Sequence, residues 1–334
     1  MTGSALSDFP VEDLPNRSGL GREYGKPHDG TYFMNWNPLL LSSDLPAGKI
    51  VGKDFLGTRV IVYRDAEGRP VVQSAYCPHV GTDLSLGAIV DGTVRCPYHF
   101  WKFATDGRCV EIPGGVQIPN GARVYNYPAA ERWGIVWAFN GETPLYGLPE
   151  FPNVAEEDLV FLAGRHGLRP VEGYIGSSNF VDFQHLEWVH GVKNPLPDSI
   201  VYEDYLVKVH QTSPERSGDS YLYGCTWLAL NFHYNDGSDR FFMAGSSQVA
   251  PGLGDAFYVV AIRREEAEKL GEQAAQEVLQ KKIAYLKKLY SEDEPILFSI
   301  RFRGRRGKLV ESDAHLARAL RYFEKYPRAA PFDV

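Results

Sequence analysis

Two short stretches, Cys77-Pro-His79 and Cys96-Pro-Tyr98-His99, each set one thiol and one imidazole on a single loop. The sixteen residues between His79 and Cys96 suffice for a strand hairpin, so the two loops can clamp one cofactor between them. Two thiolates on one iron and two imidazoles on the other is the ligand set of a [2Fe-2S] centre whose potential the imidazoles raise to about −150 to +300 mV. The rival is a structural Cys₂His₂ zinc site, which usually takes both cysteines from one turn and both histidines from a helix. Here each turn is mixed. Cys109 and Cys225 lack such neighbours and read as ordinary buried thiols.

A second group lies further along, in Asn179-Phe-Val-Asp182-Phe-Gln-His185-Leu-Glu-Trp-Val-His190. Asn179, Asp182 and His185 recur at every third residue and would share one face of a helix. His190 would point roughly 140° away from His185 on an unbroken helix. Both imidazoles reach one ion only if the helix ends near Val189 or Gly191, and a glycine suits such an end. Two histidines and a carboxylate, with coordination positions left open, form the facial triad of Fe(II) oxygenases. The carboxylate must come from elsewhere, and Asp293, just beyond a long helix, is the choice, with Glu292 and Glu294 as competitors. Ser291 and Glu294 also fit a capping box, in which first-turn acids are favoured by the helix dipole.

The elements that must hold these side chains are visible in outline. Residues 50–140 are short and strand-like, as at 60–63, 71–72, 94–96 and 135–139, with turns at 65–68, 91–92 and 106–107. This predicts a small all-β domain. The Pro- and Gly-rich stretch 141–153 is the linker candidate. Beyond it, a helix is expected at 178–189, strands at 221–232, 241–249 and 257–262, and a long amphipathic helix at 263–290 carrying Ala267, Leu270, Ala274, Val278, Leu286 and Tyr290 on one face. A shorter helix follows Ser312, with Leu316, Leu320 and Phe323 inward and Pro327 as its stop. The predicted class is α+β: an N-terminal segment (1–30), an all-β domain (31–145) and a C-terminal domain (146–334) with an antiparallel sheet flanked by helices.

With Val80-Gly81 after the first pair, Phe100-Trp101 after the second, and Asp106-Gly107 beyond, the first motif resembles the Rieske domain of the aromatic-ring-hydroxylating oxygenase family. Many members carry Arg where this chain has Val80, and Gly where it has Phe100. The D-x₂-H-x₄-H spacing of Asp182, His185 and His190 is similar to the family's iron-binding pattern, and Glu292-Asp293 resembles its third-ligand region, an Asp at the start of a C-terminal helix. The resemblance implies a [2Fe-2S] cluster on Cys77, His79, Cys96 and His99, and a mononuclear Fe(II) on His185, His190 and Asp293. Asp182 would then link His185 to His99 of a neighbouring subunit, and a local pairing with His185 is the plainer alternative. Asn179 would approach the iron or bond within its own helix.

The same resemblance implies the terminal oxygenase component of a Rieske-type non-haem iron system, a monooxygenase in preference to a dioxygenase. It would use O₂ and electrons from a separate reductase, with or without a ferredoxin, to hydroxylate or O/N-dealkylate a small aromatic or polycyclic compound. NAD(P)H would enter only through the reductase, since the chain has no nicotinamide or flavin fingerprint. The alternative is an electron carrier or binding protein with the cluster but no catalytic iron. Passing electrons between subunits implies a homotrimer. A net charge of −7 argues against nucleic acid, the opening residues lack the basic start and apolar run of a signal peptide, and no run approaches a membrane span. A cytoplasmic protein is expected.

Overall fold

The computed structural model describes residues 22–23, 26–27, 29–193, 196–300 and 307–332. The chain's opening stretch and the basic residues at 301–306 fall outside these.

Strands Asn126–Tyr127, Pro70–Ser74, Thr58–Arg64 and Val51–Phe55 form one antiparallel sheet in that order. Period-two alternation divides their side chains between two cores. Val60, Val62 and Val72 pack with Phe55 and Tyr127, while Ile61, Tyr63 and Ala75 pack around Cys77 and Cys96. A second sheet runs Cys109–Glu111, Lys102–Phe103, Thr93–Arg95 and Ala88–Val90. The hairpin between its last two strands turns on Asp91 and Gly92, with φ of 50° and 74°. Two-residue hairpin loops of this kind require a left-handed pair.

A third sheet, Ala129–Arg132, Ile135–Phe139 and Trp36–Leu41, joins the two halves of the molecule. Its Trp36 and Trp137, with Trp133 from the turn between the first two strands, share one core with Trp227, Phe241 and Phe257 of the C-terminal half. The stretch 141–153 is a packed strap: Phe151 lies edge-on to Trp133 and Phe241, and the Trp133 indole N–H donates to the Pro149 carbonyl at 2.8 Å. Its prolines and glycines mark irregular backbone, not freedom.

The C-terminal half is a seven-stranded antiparallel sheet in the order Leu159–Arg169, Leu253–Arg263, Asp239–Ala250, Trp227–Tyr234, Arg216–Tyr223, Leu206–Thr212, Ser199–Tyr202. The run 221–232, expected as one strand, straddles two of these. The chain reverses at Gly224 (φ 58°), where a β-carbon would come within 2.1 Å of the Asn35 side chain.

The helices depart from expectation in ways that matter for the site. The segment expected as one helix at 178–189 is α1 (Gly173–Ser178), a 3₁₀ turn (Asn179–Val181) and α2 (Phe183–Trp188). Asp182 sits at the break with φ −90° and ψ 81°, so Asn179, Asp182 and His185 do not share one helical face. The long helix is likewise two, α3 (Arg264–Leu270) and α4 (Glu272–Leu297), parted by Gly271 at φ 80°, ψ 159°. After that break the buried stripe is Ala275, Leu279, Ile283 and Leu286, one residue on from Ala274 and Val278. Because α4 runs to Leu297, Asp293 lies within it, and the Ser291 hydroxyl donates to the Lys288 carbonyl at 2.7 Å rather than capping a new helix. Helix α5 (Ala314–Lys325) buries Ala319 and Phe323. Among the described residues no helix is long and apolar enough to cross a membrane.

Candidate active site

The two mixed loops leave neighbouring sheets, so the sheet core fixes both. Cys77 follows Pro70–Ser74, and Cys96 directly follows Thr93–Arg95. The thiols are 2% and 1% exposed, whereas His79 and His99 stand at the surface with their rings edge-on at 4.6 Å. The Trp101 ring stacks on His79 at 4.6 Å. Main-chain bonds set each loop: the Gly81 and Cys96 N–H groups donate to the Cys77 and Trp101 carbonyls, both at 2.8 Å. Burial pushes the Cys77 thiol up to about 12, with Cys96 adding to the shift and the His79 N–H opposing it. Phe100 takes a left-handed φ of 58°.

The four side chains fall into two pairs, the Cys77 and Cys96 thiols packed in one core and the His79 and His99 rings in contact at the surface. Among the described residues, the one set of three or more such side chains with ligand atoms within 4.8 Å of one another is His185, His190 and Asp293. A buried thiol pair and a surface imidazole pair suit the two unlike irons of a two-iron cluster.

In the C-terminal half, Asp182 caps α2 by accepting the His185 backbone N–H at 3.2 Å. At the other end the Gly191 N–H (φ 66°) donates to the Glu187 carbonyl at 3.0 Å, and the Val192 N–H to the Leu186 carbonyl at 2.9 Å. This glycine-centred reversal returns His190 to His185, their rings edge-on at 4.7 Å. His185 Nε2 lies 2.7 Å and His190 Nε2 3.0 Å from the same Asp293 oxygen, Oδ1.

The three neighbouring acids take separate positions. Only Asp293 faces both imidazoles. Glu292 lies 2.9 Å from His190 Nδ1, a contact that holds its carboxyl below the usual range, and Glu294 accepts from Arg169 at 2.7 Å and lies 3.0 Å from His166 Nε2. An ion between the two Nε2 atoms and Asp293 would leave the His190–Glu292 pair intact, the kind of outer contact that orients a ligating imidazole. The donor set therefore fits a facially bound iron. Asp182 does not touch the His185 ring, whose buried Nδ1 has no partner among the described residues.

These side chains edge a cavity of about 280 Å³ that Asn179 also lines. Strand alternation decides which aromatics reach it: Phe232 and Phe242 do, while Phe241 faces the shared core. Arg216, Arg240 and Tyr285 line it too. Sequence reasoning did not find them, because strand register places the two arginines and the rotation of α4 places Tyr285, and a single sequence states neither.

A profile of the Rieske [2Fe-2S] domain matches residues 35–128. The oxygenase subunit of 3-chlorobenzoate-3,4-dioxygenase from Comamonas testosteroni is 33% identical over 201 residues, covering 55% of this chain and 46% of that one. This chain thus spans under half the length of that relative. In fold, it resembles Pseudomonas putida CBB5 NdmB (TM-score 0.75, 17% identity, 87% of this chain and 89% of that one). It also resembles dicamba monooxygenase bound to dicamba (TM-score 0.70, 20% identity, 88% and 97%). A Rieske domain followed by a helix-flanked antiparallel sheet is the architecture that these comparisons define. The chain thus carries a Rieske [2Fe-2S] domain over residues 35–128 and shares the fold of these solved oxygenases along most of its length.

Proposed function

We propose that this chain is the terminal oxygenase of a multicomponent system that oxidises a small aromatic or polycyclic molecule with O₂ and electrons from a separate reductase. The reading rests on His185, His190 and Asp293 meeting at an apolar cavity in a chain that also carries a Rieske domain. Cys77, His79, Cys96 and His99 would hold the cluster, which supplies single electrons. His185, His190 and Asp293 would hold Fe(II), which supplies the activation of dioxygen. The polypeptide does the rest: Glu292 orients His190, apolar side chains such as Leu230 and Phe242 exclude water, and Asn179 faces the reacting end of the cavity.

The net reaction would consume one O₂, two electrons and two protons, insert one oxygen into a C–H bond and release the other as water. A hydroxyl placed on a carbon attached to O or N would lead to dealkylation. We choose monooxygenation on the likeness to dicamba monooxygenase. NAD(P)H would act through the reductase, with or without a ferredoxin.

We further propose a homotrimer in which His99 of one chain meets Asp182 of the next. His99 is at the surface beside Tyr98 and Phe100 (63% and 50% exposed), and Trp188, ending α2, is 78% exposed. Apolar surface on both faces suits a repeated head-to-tail contact. The test is anaerobic metal analysis, then reduction and exposure to ¹⁸O₂ with a panel of aromatic, heterocyclic and steroid-like compounds. Iron beyond the cluster and ¹⁸O-labelled product are expected; cluster iron alone with no labelled product would sink the reading. Asp182→Ala should keep both metals and slow oxidation severely, and Asp182→Asn, which preserves the helix cap, should do the same. Normal turnover in either variant would end the bridging role, and an active monomer the trimer.

A further inference from the structure

The cavity has a second polar end. Arg240 packs against Tyr285, with its Cζ 4.5 Å from the ring and its Nη1 donating to the hydroxyl at 3.3 Å. Tyr285 and Asp293 are eight residues apart on α4, so their α-carbons are separated by about 12 Å along the helix axis. Arg216 lies over Phe232 at 4.3 Å and donates to the Tyr234 hydroxyl at 3.2 Å; Arg240 lies over the same Tyr234 ring at 4.8 Å. Two guanidinium groups thus flank one tyrosine at the end of the cavity away from the metal ligands.

Neither arginine forms an ion pair among the described residues, and both are only partly buried. Nearby cations and acids are already committed. Arg169, which lines the cavity at its other end, is taken by Glu294, Arg263 by Asp239, and the Lys282 ammonium donates to the Asp239 carbonyl at 2.8 Å. Glu172, also lining the cavity, accepts the Gly252 N–H at 2.5 Å. Between the two ends the walls include Leu228, Leu230, Phe242 and Leu286. Two like charges kept together beside an apolar chamber repel one another until an anion is shared between them. Guanidinium groups match a planar carboxylate best, through paired N–H···O bonds.

We infer that the substrate is an amphiphilic carboxylate: an apolar ring body in the chamber, its carboxylate held by Arg216 and Arg240, and the carbon to be oxidised at the opposite end beside His185, His190 and Asp293. This rests on the oxygenase reading for which carbon reacts, but not for binding. The test is therefore binding without turnover. Anaerobic calorimetric titration of the metal-loaded chain would compare benzoate, 3-phenylpropanoate and 2-naphthoate with their methyl esters.

At least one acid should bind about tenfold or more tightly than its ester. Arg216→Gln and Arg240→Gln should each shrink that ratio, and the double variant should abolish it while ester affinity stays within about threefold. The wild-type comparison needs no variant, and an unchanged circular-dichroism spectrum and thermal transition report that each variant has folded. Esters binding as tightly as acids, no acid binding anywhere in the panel, or a ratio unchanged in the folded double variant would each overturn the inference. Acid-selective binding in a chain that forms no ¹⁸O-labelled product would instead count against the oxygenase reading alone.

Discussion

The two candidate metal sites are assembled in opposite ways. Cys77, His79, Cys96 and His99 sit on two loops joined by one hairpin, and each loop is shaped by its own main-chain bonds. His185 and Asp293 are 108 residues apart. They meet because α2 is capped by Asp182 and because α4 lays Leu279, Ile283 and Leu286 against Val260 and Ile262 of the sheet. The first site needs the two small N-terminal sheets and their shared core, whereas the second needs the C-terminal half packed in register. Their surroundings differ too: His79 and His99 stand at the solvent edge, whereas His185, His190 and Asp293 edge a cavity.

The largest expected effect comes from that independence. Asp293→Ala should lower iron from about three atoms per chain to about two while the cluster absorption stays unchanged. Turnover should fall by more than about a hundredfold, beyond the ~10–100-fold typical of outer-sphere partners. Metal analysis beside the visible spectrum measures both. Loss of the cluster in the same variant would mean that the sites are not separate constructions.

The same contrast explains what the sequence could tell. The two Cys-His pairs are close in the chain, and turn residues such as Asp91-Gly92 mark the hairpin between them, so this part of the fold was legible. Gly191 likewise announced the helix end that returns His190. Asp293 was harder, because Glu292, Asp293 and Glu294 are chemically alike and only the rotation of α4 assigns them different neighbours. That rotation depends on Gly271, whose break in the helix is invisible to a pattern of apolar spacing that continues on both sides. The Asp182 break is hidden for a similar reason: a period of three fits a continuous helix as well as a turn followed by a new cap. Arg216 and Arg240 carry no motif at all, and only the pairing of strands Arg216–Tyr223, Trp227–Tyr234 and Asp239–Ala250 aligns them.

A smaller effect sharpens the comparison within the second site. Glu292→Gln replaces the carboxylate facing His190 Nδ1, 2.9 Å away, with a neutral amide. The amide oxygen can still accept the bond, but the charge that raises the basicity of the imidazole is gone. Iron affinity should drop about 10–100-fold with the ligands intact. Competition with a chelator gives the number, and an unchanged affinity would leave Glu292 as a surface acid beside Lys288.

The smallest effect is expected beside the cluster. Phe100, next to His99, holds a left-handed φ of 58° and lies under the Arg95 guanidinium, with its Cζ 5.0 Å from the ring centre. Left-handed backbone costs a residue with a β-carbon about 1–2 kcal/mol, so Phe100→Gly relieves that strain. The glycine gives back about 0.5–1 kcal/mol in unfolded-chain freedom, and the lost cation–π contact about 0.5–1 kcal/mol. The net change should lie within about 1 kcal/mol of zero, seen as a small shift in thermal midpoint with the cluster spectrum preserved. A substitution beside His99 would then be nearly neutral where one beside Asp293 weakens metal binding, as expected when the first loop is held by its own backbone and the second site by the packing of a distant helix. A collapse of the cluster in Phe100→Gly would show that the ring, not the main chain, supports the first site.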